Sequence, residues 1–301
     1  MLRIIEFFVH LIIGLQTPDT FLYHYTRADI AKDCILSKRT LKFGSITKTN
    51  DPKETRDWTF ALGTQTNRPL GNYDLKYLSV RLSDALKTNT KVVCFCRDSQ
   101  PLSGDQLRDV FLRGWSKPRM WAQYAASPTA EGRIKGHTGV CLVFDRQKLD
   151  QAICRKFGFY SRIYRGDVNY LNRSVVHDWA GDFTINIDVL EQHGFEQYAK
   201  IHFHTFVKRL FFEKMMDWRD EHEFRWIIAD SGPDDVFVEI NSSLAGIVYG
   251  DDTNEADIKA MLELTHDLPI QHIGLKWKNS SPWYDYMNPL FSKVTQQIAT
   301  G

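Results

Sequence analysis

The stretch from residue 221 to residue 228 constrains the fold most strongly, because its side chains alternate in character at a period of two. This spacing is typical of a β-strand with two different faces. The apolar face carries Phe224, Trp226 and Ile228, and the charged face carries Glu221, Glu223 and Arg225. Two carboxylates crowded on one face need compensation, and such pairs occur where pKa values are displaced for chemistry. A solvated face on which Arg225 bridges the two glutamates is the structural alternative.

The overall charge sets few expectations about partners. Basic residues number 38 and acidic residues 37, which gives a net charge of +1 over 301 residues. Such a chain has no global field that would attract nucleic acid or an anionic membrane. A nucleic-acid partner would therefore have to be recognised by a local feature of the surface.

Cysteine usage indicates a reducing compartment. The five cysteines form no zinc-like spacing and no even-numbered framework. Cys94 and Cys96 lie two apart in an apolar run, where we expect buried, reduced thiols on one face of a strand. A cytoplasmic location is the resulting prediction.

Residues 1–20 form an apolar N-terminal segment. Glu6 and His10 interrupt its apolar run and no small-residue cleavage site follows, so the pattern does not favour a secretion signal. The run is also too short to span a bilayer. We expect an amphipathic or accessory helix there, or a chain start assigned too far upstream, and no stable membrane span.

Strand-like and helical patterns fill the rest of the chain without strict βαβ alternation. We predict strands at 21–25, 40–44, 91–96, 138–144 and 221–228, a strand pair within 157–168, and one long helix over 188–214. Residues 21–301 are therefore predicted to form a single α+β domain, with one mixed sheet and helical insertions.

Five short motifs follow one another along this domain. They are Leu22-Tyr-His24-Tyr25-Thr26, Asn50-Asp51-Pro52-x-Glu54, Met120-Trp121-x-x-Tyr124, Gly139-Val-Cys-Leu-Val-Phe144 and Trp218-x-x-Glu221-x-Glu223-x-Arg225. In their order and their residue types they resemble motifs of the bacterial family known as domain of unknown function 2971. The resemblance extends from about Phe21 to Leu275, and it implies no settled activity.

Two of these motifs are also similar to motifs of the ADP-ribosyltransferases. Leu22-Tyr-His24-x-Thr26 is similar to their first NAD-binding motif, and Glu221-x-Glu223 is similar to their catalytic Glu-x-Glu motif. The resemblance implies an ADP-ribosyltransferase-like core, NAD as the substrate and catalytic roles for Glu223 and Glu221. The NAD-binding residues that it implies are His24, Tyr25 and Thr26, with Trp121 or Tyr124 stacking on the nicotinamide. By charge alone, Arg225, Lys214 or Arg27 would pair with the pyrophosphate.

The chemistry of that reaction suits these residue types. Breaking the nicotinamide glycosidic bond develops oxocarbenium character on the ribose, which a fixed carboxylate stabilises. The resemblance assigns this role to Glu223, while Glu221 would orient or deprotonate the acceptor with a pKa raised by its neighbour. The enzyme would transfer ADP-ribose to a nucleic acid or protein, or it would hydrolyse NAD. Such activities commonly belong to bacterial toxins or to anti-phage defence.

Two alternatives stay open. The first is a metal-dependent nuclease that would use Asp51, Glu54, Glu221 and Glu223. The carboxylate–lysine spacing that such enzymes need is absent, and we predict no metal site. The second is a non-catalytic sensing or interaction module that keeps the fold. Released nicotinamide would distinguish NAD turnover from both alternatives.

Overall fold

The computed structural model describes residues 20–103, 105–128, 131–158, 162–172, 181–229, 232, 234–285 and 289–290. The predicted N-terminal segment lies outside these residues except for Thr20. A single mixed α/β domain is built around one mixed sheet, as predicted. Its strands, and those of three small two-stranded sheets, are β1 Phe21–Thr26, β2 Thr40–Ser45, β3 Ala61–Gly63, β4 Lys91–Cys96, β5 Ser127–Pro128, β6 Ile134–Lys135, β7 Val140–Asp145, β8 Ile163–Asp167, β9 Asn169–Tyr170, β10 Thr184–Asn186, β11 Glu213–Lys214, β12 Glu223–Ile228, β13 Val236–Glu239, β14 Leu244–Tyr249, β15 Gln271–Lys278 and β16 Ser281–Tyr284.

The strand order of the large sheet is β13-β2-β4-β1-β7-β14-β15-β16, and β12 joins β4 to β8. Neighbouring strands run antiparallel, except that β14 and β15 run parallel. The strand β4 pairs with β12 along its whole length, while β2 and β1 pair with its beginning and its end. The first and the late segments of the chain therefore meet around β4.

The α-helices are α1 Ala28–Ile30, α2 Pro52–Thr55, α3 Leu75–Lys87, α4 Gln106–Asp109, α5 Pro118–Tyr124, α6 Arg146–Phe157, α7 Ile187–His193, α8 Phe195–Phe211 and α9 Glu255–Leu264. Several begin directly after an Asp or Asn residue whose side chain accepts a hydrogen bond from a first-turn N–H. Asp51 does so for α2 and Asp145 for α6. A π-helical turn at Ala31–Leu36 continues α1.

The two faces of the sheet bury different apolar clusters. One face carries Phe95, Phe224 and Trp226 and is covered by α6 and α9. On the opposite face, α3 and α8 pack over β4 and β12. A third cluster, which contains Trp115 and Trp121, packs over β1, β7 and β14 on that same side. The predicted apolar face of the 221–228 stretch is thus confirmed as core.

The strand predicted over 221–228 begins later than its alternation suggests. Residues Met216–Glu221 form a 3-10 helix, and β12 begins at Glu223. His222 joins the two in a left-handed conformation with φ +42°. The prediction that Glu221 lies on the strand is therefore wrong, because a helical turn ended by a left-handed residue cannot continue the alternation of a strand.

Two other predicted elements need correction. The long helix over 188–214 is broken at Gly194, whose φ of +72° ends α7 before α8 begins, and the last two of its residues form β11. Glycine adopts this conformation without a Cβ clash, so a helical pattern on both sides does not reveal the break. The strand pair predicted within 157–168 holds only in part, because Phe157 ends α6 and Ile163–Asp167 form a single strand. Residues 159–161 lie outside the described part.

Candidate functional site

The site is organised around the buried ammonium group of Lys214. Its Nζ lies 2.7 Å from Glu221 Oε2 and 2.7 Å from Glu223 Oε2. Lys214 ends β11, the 3-10 helix Met216–Glu221 turns the chain back, and β12 returns with Glu223. This local turn explains how Glu221, although not part of the strand, lies beside the same ammonium as Glu223. We call the group Asp51, Glu54, Tyr124, Tyr170, Lys214, Glu221, Glu223 and Arg225 the Lys214 cluster.

Arg225 connects Glu223 to a distant part of the chain. Its Nε and Nη2 donate to the two carboxylate oxygens of Glu223 at 2.6 and 2.8 Å, which is a bidentate ion pair. Its Nη1 donates to Glu54 Oε1 and, at 2.9 Å, to the backbone oxygen of Phe211. Arg225 is fully buried. The fork geometry of the guanidinium therefore orients Glu223 and holds α2 against the sheet.

Two tyrosines complete the hydrogen bonding of the glutamates. The hydroxyl of Tyr124, at the end of α5, donates to Glu221 Oε1 at 2.6 Å. The backbone N–H of Glu223 donates to the Tyr170 hydroxyl at 2.9 Å. Glu221 thus accepts from Lys214 and from Tyr124, one donor for each of its oxygens. Hydrogen bonds to side chains from separate elements therefore hold both glutamates in one geometry.

The two glutamates differ in their proton affinity. Burial raises the pKa of Glu221, and the charge of Glu223 adds to this effect against the pull of Lys214. Burial also opposes ionisation of Glu223, but Arg225 and Lys214 outweigh it and lower its pKa well below the usual range. The pKa of Lys214 is raised because the nearby carboxylates outweigh its burial. The pKa values of Glu221 and Glu223 therefore differ because each carboxylate has different neighbours.

Two buried carboxylate oxygens in the cluster, Asp51 Oδ2 and Glu54 Oε2, accept no hydrogen bond from any residue that the structure describes. The other oxygen of Asp51, Oδ1, accepts from the N–H of Lys53 at 2.9 Å. Burial raises the pKa of Asp51, and Glu54 raises it further. An unpaired buried acceptor costs free energy unless a ligand or a proton satisfies it. These atoms are the open acceptors of the site.

His24 lies on the other face of the sheet from Glu223. In the β1–β7 register His24 is opposite Leu142, and its ring is 5.6 Å from that of Phe95 in the α6-covered core. Glu223 is opposite Cys96, whose side chain packs on the opposite face. His24 Nδ1 donates to the backbone oxygen of Cys94 at 3.0 Å, and burial lowers its pKa. The structure does not bring His24 to the glutamates.

Thr26 follows His24 on the same face of β1, because side chains two apart in a strand point to the same side. It is buried at the end of β1, away from the cluster. The strand therefore separates the predicted ribose-binding pair, His24 and Thr26, from the predicted catalytic pair. The period of two shows only that neighbouring residues of one strand point to opposite faces. The pairing of β1 with β7 and of β12 with β4 shows which face of the sheet His24 and Glu223 each occupy.

Tyr25 and Trp121 support the cluster from the apolar side. Their rings pack edge to face at 5.1 Å. The Tyr25 hydroxyl donates to the Gly114 backbone oxygen at 2.6 Å, and Trp121 Nε1 donates to the Trp115 backbone oxygen at 2.8 Å. Trp121 is fully buried, so its ring faces are covered by protein. These residues hold α5, which presents Tyr124 to Glu221.

Sequence reasoning did not assign Tyr170 or the pairing of Glu54 with Arg225. The motifs contain a signal for the Glu54–Arg225 pairing. Asp51, Glu54, Tyr124 and the late glutamates all belong to three of the five motifs quoted above. The four acidic residues that the nuclease alternative would use lie in one region of the structure. However, the ammonium of Lys214 and the guanidinium of Arg225 lie where a divalent cation would have to bridge carboxylates. Within the described ranges, no group of three or more His, Cys, Asp or Glu side chains is arranged to hold a metal ion.

Comparison with known family models finds a match to the centre of the chain. Residues 120–226 match the family described as Protein of unknown function (DUF2971), which confirms the predicted resemblance over these residues. The match begins in α5 and ends in β12, so it includes Tyr124, Lys214 and both glutamates. No curated protein and no solved structure shows a significant match. In the described part of the chain, helices with the length and apolarity for crossing a bilayer are absent.

Proposed function

We propose that the protein breaks the nicotinamide glycosidic bond of NAD at the Lys214 cluster, where charged residues from the part that matches DUF2971 meet Asp51 and Glu54. The ADP-ribosyl group would pass to a nucleic acid or protein, or to water. The observation that carries the proposal is the pair Glu221 and Glu223, held 2.7 Å from one ammonium with pKa values displaced in opposite directions. Such displaced pairs are how acid and base roles are divided between carboxylates.

The two glutamates have different roles in this reaction. Glu223 stays ionised because Arg225 and Lys214 favour its charged form, so it stabilises positive charge developing on the ribose. Glu221 has the higher proton affinity and accepts the proton of the attacking hydroxyl or water. Tyr124 orients Glu221 through its 2.6 Å hydrogen bond. The electron pair of the broken bond leaves with nicotinamide.

The acceptor atoms of Asp51 and Glu54 support a sugar as the ligand. Their unpaired oxygens accept hydrogen bonds, and ribose hydroxyls are donors. This arrangement replaces the ribose-binding role that the sequence resemblance implies for His24 and Thr26. Ligand binding would satisfy two acceptors that the protein leaves open, which is a source of affinity for a hydroxylated ligand.

Nicotinamide release from NAD tests the proposal directly. The wild-type protein is expected to release nicotinamide, and Glu223→Gln is expected to reduce the rate by at least about 100-fold, the scale of an electrostatic contact to a transition state. Glu255→Gln is the matched control, because Glu255 is an exposed glutamate in an i, i+4 pair with Lys259. Absence of turnover by the wild type, with and without nucleic acid or protein acceptors, would overturn the proposal.

A second variant separates catalysis from folding. Tyr124→Phe removes only the hydroxyl that donates to Glu221, so it disturbs the cluster less than a change of charge. It is expected to keep the fold and to lose about 10- to 100-fold in turnover, since one hydrogen bond to a charged group contributes about 1.5–3 kcal/mol. Turnover equal to that of the wild type would remove Tyr124 and Glu221 from the mechanism.

The enclosure of the cluster favours a second candidate, a non-catalytic interaction module. Glu54, Glu223 and Arg225 are each at most 4% exposed, and a buried ion network of this kind can hold three chain segments in one arrangement. This candidate predicts that the wild type does not release nicotinamide, while loss of Lys214 still destabilises the fold. The NAD assay therefore distinguishes the two candidates.

A further inference from the structure

A second polar group lies outside the Lys214 cluster and plays no part in the proposed reaction. The Nζ of Lys117 donates to Ser99 Oγ at 2.6 Å, and His222 Nε2 lies 3.3 Å from the same oxygen. Ser99 follows β4, Lys117 precedes α5, and His222 joins the Met216–Glu221 helix to β12. Three separate segments therefore bring a hydroxyl, an ammonium and an imidazole together.

Neither basic side chain in this group forms a direct ion pair with a described carboxylate. Among the described residues, no carboxylate lies within ion-pair distance of Lys117 or His222, whereas Lys214 has two. Burial lowers the pKa of Lys117. Burial also lowers the pKa of His222, and the positive charges of Lys117 and Arg97 lower it further. The charge of Asp220 opposes the lowering at both groups, and Asp98 opposes it at Lys117. These carboxylates pair directly with other side chains, Asp98 with Arg113 and Asp220 with Arg119. The described part of the fold thus gives Lys117 and His222 no directly paired counter-ion.

The backbone keeps His222 in this position. Its conformation is left-handed, with φ +42°, its N–H donates to the Arg219 backbone oxygen at 3.1 Å, and its own oxygen accepts from the N–H of Arg97 at 2.9 Å. A residue other than glycine in this region carries backbone strain, which folded proteins retain most often at functional positions. The imidazole is exposed, so a ligand reaches it from solvent.

We propose that Ser99, Lys117 and His222 form a binding site for a phosphate group. A phosphate accepts hydrogen bonds from a hydroxyl, an ammonium and an imidazole N–H at once, and its negative charge pairs with the Lys117 ammonium. A tetrahedral dianion with several oxygens suits donors from three directions better than a planar carboxylate does. The site needs none of the glutamates, so it stands independently of the reaction proposed above.

Titration of the full chain with sodium pyrophosphate, at constant ionic strength and followed by calorimetry, tests this site. We expect saturable binding, with inorganic phosphate binding more weakly. Lys117→Met is expected to weaken pyrophosphate binding by about tenfold or more, because it removes a charge-assisted hydrogen bond. Lys76→Met is the matched control, since Lys76 is an exposed lysine on α3, and its affinity should stay within about twofold of the wild type.

His222→Asn keeps the test valid if Lys117→Met fails to fold. Asparagine tolerates the left-handed conformation, so this change removes the imidazole with little effect on the turn. A loss of about tenfold in affinity with an unchanged melting temperature supports the site. Wild-type protein that does not bind pyrophosphate, or His222→Asn protein that binds it as the wild type does, overturns the inference. Binding is measured without NAD, so this result does not depend on the outcome of the nicotinamide assay.

Discussion

Replacing Lys214 by methionine is expected to destabilise the protein strongly. Methionine keeps a long unbranched side chain but removes the ammonium that lies 2.7 Å from both Glu221 and Glu223. All three side chains are buried, so water cannot compensate the two carboxylates. Removing one partner from a buried ion pair typically costs about 3–5 kcal/mol, because an uncompensated charge is left behind.

The matched control is Lys259→Met. Lys259 pairs with Glu255 at 2.5 Å on the exposed side of α9. An exposed i, i+4 pair contributes only about 0.3–0.5 kcal/mol, so the control should unfold almost as the wild type does. Urea denaturation at pH 7.5, with the same m-value required for all variants, measures both free energies of unfolding. Equal losses for the two variants would refute the buried ionic arrangement described for Lys214.

The pH dependence gives a second criterion for the same variant. Without the ammonium, the pKa of Glu221, already raised by burial from its ordinary value of 4.5, rises further. A carboxyl group whose pKa is higher in the folded than in the unfolded chain favours folding fully below its unfolded pKa, and this stabilisation is lost as pH rises through the folded pKa. The deficit of Lys214→Met, meaning its loss of unfolding free energy relative to the wild type, should therefore grow as pH increases from 4.5. A deficit that is constant from pH 4.5 to pH 8 would contradict this reasoning.

Three further outcomes are expected. Burial lowers the pKa of His202 from 6.5 to about 4. The stabilisation linked to neutral His202 is therefore fully present above pH 6.5, and about 3 kcal/mol of unfolding free energy is lost as pH falls through the folded pKa. Urea titrations at several pH values should show a smaller dependence of the unfolding free energy on pH for His202→Gln than for the wild type. Gly250→Ala should lower stability by about 1–3 kcal/mol, because a Cβ there would clash with the backbone oxygen of His137; an unchanged melting temperature would show that the backbone yields. Trp226→Ala should cost about 3–5 kcal/mol. Trp283→Ala, at a side chain that is 41% exposed, should stay within about 0.5 kcal/mol, and similar losses in denaturation would contradict the burial of Trp226.

Much of the local structure follows from short sequence patterns. The strand over Lys91–Cys96 has the predicted bounds. Asp51 and Asp145 cap helices because a side-chain acceptor next to an apolar repeat satisfies free N–H groups. The break at Gly194 and the turn at His222 were missed, since a single left-handed residue leaves no periodic signal.

The candidate site was predictable only in part. Glu221, Glu223 and Arg225 were identified from their spacing, and the raised pKa of Glu221 follows the predicted direction. The roles in NAD chemistry, the cytoplasmic location and the link to toxins or defence stay predictions. The partnership of His24 with Glu223 depended on a shared face of the sheet, and the strand register places the two side chains on opposite faces.

The sequence by itself determined that Phe224 and Trp226 are core, that an aspartate begins α2, and that two glutamates lie near one arginine. Only the tertiary structure decided that Arg225 pairs with Glu54, 171 residues away, and that Lys214 lies between the glutamates. Periodicity and capping act within one or two turns of chain, so adjacent residues encode them. A buried ion pair depends on strand order and register, which are set by the packing of the whole sheet.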